Sequence, residues 1–97
     1  MILIIVKYNC KSGCREAFLK NIEEQGIDEK CRAEEGNIQY AYSFDPHDSD
    51  VMYLTELWRD DEALSNHGKM EHMKALGAIK ALYVDSTEVK KYQASVL

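Results

Sequence analysis

"NIQYAYSFDPHDSDVMYLTELWR", residues 37–59, decides the fold. In its first eight residues Ile38, Tyr40, Tyr42 and Phe44 fall on one face of an extended chain, and Gln39, Ala41 and Ser43 fall on the other. That period of two predicts a strand. "DPHDSD" follows, with Pro46 and three aspartates to supply turn chemistry. "VMYLTELWR" is then a return strand, and the stretch is a β-hairpin. On the return strand Met52, Leu54 and Trp58 share one face, and Val51, Tyr53 and Leu57 share the other.

The flanks complete the pattern. Ile2 to Tyr8 is a continuous apolar run rich in β-branched residues and predicts a strand buried on both faces. In "CKSGCREAFLKNIEEQG", Ala17, Phe18 and Ile22 sit at helical spacing, with Ser12 as N-cap and Gly26 just past the end. A short helical piece, Asp28 to Glu35, ends at Gly36. After the hairpin, Asp60, Asp61 and Glu62 place negative charge at a helix start, where the macrodipole favours it. That helix breaks near His67-Gly68 and resumes from Lys69 to about Leu82. Met70, Met73, Leu76, Ile79 and Leu82 form its apolar stripe, and "VDSTEVKKYQ" is the last strand. The order β-α-β-β-α-β predicts an α+β, ferredoxin-like antiparallel sheet with helices on one face. Residues 1–97 form a single domain.

Neither face of this sheet is written for water, because the first strand and the hairpin's return strand are apolar on both sides. The simplest resolution is a homodimer joined sheet to sheet about a two-fold axis. Composition bounds the partners further. Net charge is −5, and Lys and Arg form no cluster. Nucleic acid is therefore not an expected partner. Lys7 interrupts the apolar N-terminus after six residues, too few for a signal sequence or a membrane span. Cys10, Cys14 and Cys31 read as reduced thiols, and the expected location is the cytoplasm.

"CRAEEGNIQYAYSFDPHDSDVMYLTELWRDDEALSNHGKMEHMKAL", residues 31–76, resembles the antibiotic biosynthesis monooxygenase family, which includes quinol monooxygenases and an autoinducer-2-processing enzyme. The resemblance rests on Arg32-Ala33-Glu34 with Gly36, on Tyr40, on Glu56-x-Trp58, on Glu62-Ala63-Leu64, and on His67 with His72. It implies a dimeric α+β barrel and a monooxygenase that needs no cofactor. The haem-degrading branch of the family is disfavoured. The only tryptophan here is on a strand, and Val6 stands where that branch has an asparagine.

The residues themselves support such chemistry. Glu56 and Trp58 point to one face of their strand. If that face looks toward the helices, both line a space beneath the break at His67-Gly68. Trp58 is then a flat wall for an aromatic ring, with Tyr40, Tyr42 and His72 as further substrate contacts. His67 is the expected base, taking a proton from a phenol or enol, and Glu56 orients it or the substrate. A small aromatic such as a quinol or polyphenol, once deprotonated, is electron-rich enough to reduce oxygen itself. Each residue also has a plain structural reading: Trp58 as core, Glu56 as a paired buried carboxylate, His67 as a helix-end residue, the tyrosines as sheet packing, and His72 as a rim residue.

No metal or other cofactor is expected. On one continuous helix His67 and His72 would stand roughly 140° apart. "HGKMEH" lacks the zincin spacing, "DPHDSD" lacks the glycine and glutamate of an EF-hand, and no glycine-rich loop exists for a nucleotide or flavin. Two alternatives remain open. One is an isomerase of the autoinducer-2-processing type, with Lys69 and Lys74 as phosphate contacts. The other is a non-catalytic dimeric ligand-binding or stress protein.

Overall fold

A computed structural model describes residues 1–97. Its elements are β1 (Ile2–Cys10), α1 (Arg15–Glu24), α2 (Ile27–Arg32), β2 (Asn37–Phe44), β3 (Val51–Trp58), α3 (Asp61–His67), α4 (Glu71–Tyr83) and β4 (Val84–Gln93). The hairpin is β2–β3, with Tyr40 opposite Glu56 and Tyr42 opposite Leu54. β1 lies between β3 and β4 and runs antiparallel to both, so the strand order is β2-β3-β1-β4. This is the expected ferredoxin-like arrangement.

Alternation along the strands decides which face the helices cover. Ile2, Ile4, Val6, Tyr8 and Cys10 of β1 are buried, as are Met52, Leu54, Glu56 and Trp58 of β3. All nine point to the helix side. Phe18 and Ile22 of α1, Ile27 and Cys31 of α2, Ala63 of α3, and Leu76 and Ile79 of α4 close the core over them. Phe18 meets Tyr8 edge-on, with ring centroids 5.2 Å apart.

The outer face is partly open in the single chain. Leu3, Ile5, Tyr53 and Leu57 are only half-buried, and β4 adds Glu88 and Lys90 beside Lys7. Lys7 Nζ lies 3.9 Å from Glu88 Oε2. Ile5, Lys7, Tyr53, Glu88 and Lys90 line a shallow depression there. The face is mixed, because Lys90 of β4 pairs with the apolar Ile5, and Glu88 pairs with Lys7.

Five local expectations are corrected. Ile38 is 53% exposed and not on the core face, because β2 bulges at Asn37–Gln39 and turns it out. Ser12 does not cap α1: Cys14 holds that position without a side-chain bond, after a turn in which Gly13 has φ 74°. α2 stops at Arg32, before the expected Glu35, and α4 starts at Glu71 instead of Lys69. Leu82 is 66% exposed, because a repeat of three drifts about 60° per step against a 3.6-residue helix.

Gly36 sets the distance between the end of α2 and α3. Its φ is 84°, and a Cβ added there would lie 2.5 Å from the Cβ of Ala63. Only glycine permits both this backbone conformation and this approach. α3 itself starts at Asp60, whose Oδ1 accepts from the Ala63 N–H at 2.9 Å.

Candidate active site

The break after α3 builds the site. His67 is the last residue of α3, and Gly68 caps it with its N–H on the Leu64 carbonyl. The chain leaves helical geometry at Met70, and α4 begins at Glu71. His67 and His72 therefore sit on two helices, and the angular separation expected on a single helix does not apply. Both rings turn to one carboxylate. His67 Nδ1 and His72 Nε2 each lie 2.8 Å from Glu34 Oε2. The Glu34 side chain is 4% exposed, and its Oε1 has no partner.

Glu56 approaches His67 from the sheet. Its Oε1 accepts from Trp58 Nε1 at 3.0 Å and stands 3.7 Å from His67 Nε2. The two residues share a face because they are two apart on β3. Burial raises the Glu56 carboxyl above its ordinary range. The Trp58 N–H and the His67 ring oppose that rise, and the charge of Glu34 adds to it. Trp58 lies under His67 with ring centroids 4.6 Å apart, and Tyr40 flanks it at 5.8 Å. Tyr40 meets Tyr42 edge-on at 5.8 Å.

Neither the Tyr40 nor the Tyr42 hydroxyl has a hydrogen-bond partner, although both are buried. Burial raises both phenols well beyond their ordinary range. Both phenols therefore stay neutral.

All the residues expected at the site converge: Glu56, Trp58, His67, Tyr40, Tyr42 and His72. The open space expected beneath the break is not there. Trp58, Tyr40 and His67 fill it, and the shallow depression lies on the other face of the sheet. His72 is not a rim residue, since its side chain is 12% exposed and bound to Glu34. Glu34 and Cys31 are members of the cluster that the sequence reading did not assign to a site. Their signal was present in Cys31-x-x-Glu34, which spans the end of α2 and overlaps the quoted Arg32-Ala33-Glu34. Arg32 fixes this segment, donating to the Tyr40 carbonyl at 2.9 Å and to Asp28 Oδ2 at 2.9 Å. Burial pushes the Cys31 thiol up to about 12.

The model for the antibiotic biosynthesis monooxygenase family matches residues 1–78. The chain belongs to this family. Across 78 residues it is 31% identical to "Putative monooxygenase YcnE" of Bacillus subtilis (strain 168), covering 80% of each chain. Among solved structures it is similar to PA3566 from Pseudomonas aeruginosa, at 26% identity and a TM-score of 0.86, covering 98% of this chain and 94% of that one. It is also similar to an antibiotic biosynthesis monooxygenase at 26% identity and a TM-score of 0.84, covering 99% and 100%. In this family member Glu34, Tyr40, Glu56, Trp58, His67 and His72, which carried the sequence resemblance, are the residues that meet in space. No helix is long and apolar enough to cross a membrane.

Proposed function

We propose that this chain is a cofactor-independent monooxygenase for a small electron-rich aromatic such as a quinol or polyphenol. The observation that carries the reading is the buried contact of His67 with Trp58, Glu56 and the Tyr40 ring, beside two tyrosine hydroxyls that have no partner. An aromatic diol matches this set. Its ring stacks on Trp58, its hydroxyls satisfy Tyr40 and Tyr42, and one of its protons passes to His67 Nε2. The Glu34 contact at Nδ1 orients the imidazole for that transfer.

The balance needs no outside reductant. A quinol and one dioxygen give a hydroxyquinone and one water. One oxygen atom enters the ring, the other leaves as water, and all four electrons come from the substrate. Deprotonation in a water-poor site makes the first electron available to oxygen. Binding requires α3 and the Gly68–Met70 connection to move from the closed arrangement, because the interior beside His67 is filled.

Two further parts of the reading concern the protein as a whole. The half-buried Leu3, Ile5, Tyr53 and Leu57 suit a homodimer formed through the outer sheet face. Cys10, Cys14 and Cys31 are all free thiols, which suits a reducing cytoplasm. The isomerase alternative has less support. Lys74 is exposed and pairs with Glu71 at 3.1 Å, away from the buried cluster.

Oxygen uptake by chelator-treated protein against a panel of quinols and polyphenols tests the proposal, with His67→Ala as control. Saturable uptake that collapses in the variant is the expected result. Uptake no faster than the uncatalysed rate across the panel would reject it in favour of a non-catalytic ligand-binding protein.

A further inference from the structure

Four side chains with metal-binding atoms meet where α2, α3 and α4 come together. Cys31 lies in the last turn of α2, Glu34 just beyond it, His67 at the end of α3 and His72 in the first turn of α4. Their ligand atoms all lie within 4.8 Å of one another.

Two features separate this cluster from an ordinary histidine–carboxylate pair. Both imidazole nitrogens converge on the same oxygen, Glu34 Oε2, at 2.8 Å. The other oxygen, Oε1, is equally buried and has no partner. A carboxylate that only needed two donors would spread them over its two oxygens, since each has lone pairs to spare. Leaving one bare costs about 1–3 kcal/mol.

We propose that Cys31 Sγ, one oxygen of Glu34, His67 Nδ1 and His72 Nε2 form a binding site for a borderline first-row divalent cation of the Zn2+ type. Tetrahedral coordination, with bonds of about 2.0–2.3 Å, sets neighbouring donors roughly 3.3–3.7 Å apart. Two of the separations are 2.8 Å and none exceeds 4.8 Å, so displacements of about 1 Å suffice to complete the shell. The donors select the ion. A thiolate and two imidazoles disfavour Ca2+ and Mg2+, which take oxygen ligands, and suit Zn2+ or Co2+. Charge also closes: one thiolate and one carboxylate neutralise a divalent cation, which allows burial. An outer carboxylate is already in place, because Glu56 faces the second nitrogen of His67 at 3.7 Å and is itself held by Trp58.

The site does not depend on the oxygenation reading, but it bears on it. A cation on Nδ1 keeps the ring proton on Nε2. The loaded protein is then a resting form in which His67 accepts no proton from substrate.

The test is titration of chelator-treated, full-length protein with Co2+, followed by displacement with Zn2+. The expected result is a single Co2+ per chain, tetrahedral visible bands and a thiolate-to-metal charge-transfer band, all erased by Zn2+. Cys31→Ser should lose the charge-transfer band, and His72→Gln should weaken Zn2+ binding by about tenfold or more. The second variant keeps the test open if the first does not fold. Absence of Co2+ binding at micromolar concentration overturns the proposal. So does a charge-transfer band that survives in folded Cys31→Ser, since Cys10 or Cys14 would then be the ligand, and so does unchanged Zn2+ affinity in His72→Gln. None of these outcomes involves turnover, so failure here is distinguishable from failure of the proposed reaction.

Discussion

Glu34 Oε2 lies 2.8 Å from Nδ1 of His67, although 33 positions separate the two residues. The contact joins the turn after α2 to the end of α3 and fixes which way the imidazole faces. A carboxylate that accepts from Nδ1–H leaves Nε2 free toward Glu56.

The Nδ1–H tautomer of neutral His67 should therefore dominate in chelator-treated protein. Nitrogen chemical shifts of the labelled ring read this directly. Glu34→Ala should remove the preference. A dominant Nε2–H tautomer in the unsubstituted protein would mean that Glu34 does not orient the ring.

The Trp58–Glu56 hydrogen bond is buried, so its loss should be felt in stability. A double-mutant cycle between Trp58→Phe and Glu56→Met, measured by urea unfolding, should give a coupling of about 1–3 kcal/mol. Additive effects would show that the 3.0 Å contact contributes nothing.

Gly36→Ala should destabilise the fold by roughly 1–3 kcal/mol, because the added methyl meets Ala63 and the positive φ is strained. Gly13→Ala is the comparison. Its φ is also positive, but its Cβ would meet nothing within 4 Å. Equal losses at the two sites would remove the close approach as the reason for Gly36.

Asp60 gives a pH-dependent prediction. The Ala63 N–H holds its carboxyl below the usual range, with the Arg59 guanidinium contributing. A carboxylate depressed in the folded state stabilises above its unfolded pKa, about 3.9, and that contribution is lost as pH falls through the folded value. The Tm difference between the natural chain and Asp60→Ala should be full at neutral pH and close in strong acid. A difference that is constant down to about pH 2 would show that the cap acts through something other than charge.

Sedimentation at micromolar concentration should give a particle of twice the 11.2 kDa chain mass. Ile5→Lys, on the half-buried outer face, should shift it to monomer. A folded monomer before any substitution would remove the sheet-to-sheet dimer.

Most of the fold was legible because it rests on local periodicity. The alternation of Tyr40 and Tyr42, and of Met52, Leu54 and Trp58, marks a hairpin wherever it occurs, and Pro46 with its aspartates marks the turn. Legibility failed where one residue breaks the period. The bulge at Asn37–Gln39 turns Ile38 out, and no residue in that stretch announces it. The apolar stripe of α4 failed at Leu82 for a related reason, since a repeat of three holds one face only briefly.

The sequence by itself determined the hairpin, the shared face of Glu56 and Trp58, and the break that frees His67 from the helix of His72. These follow from spacing along one short stretch of chain. Only the tertiary structure decided that Glu34 and Cys31 join them. It also decided that both histidines share one oxygen and that rings fill the expected space. Those facts depend on how closely α2 approaches α3 and α4 over the sheet. That distance is set by contacts such as Gly36 against Ala63, which join residues far apart in sequence and leave no periodic trace in it.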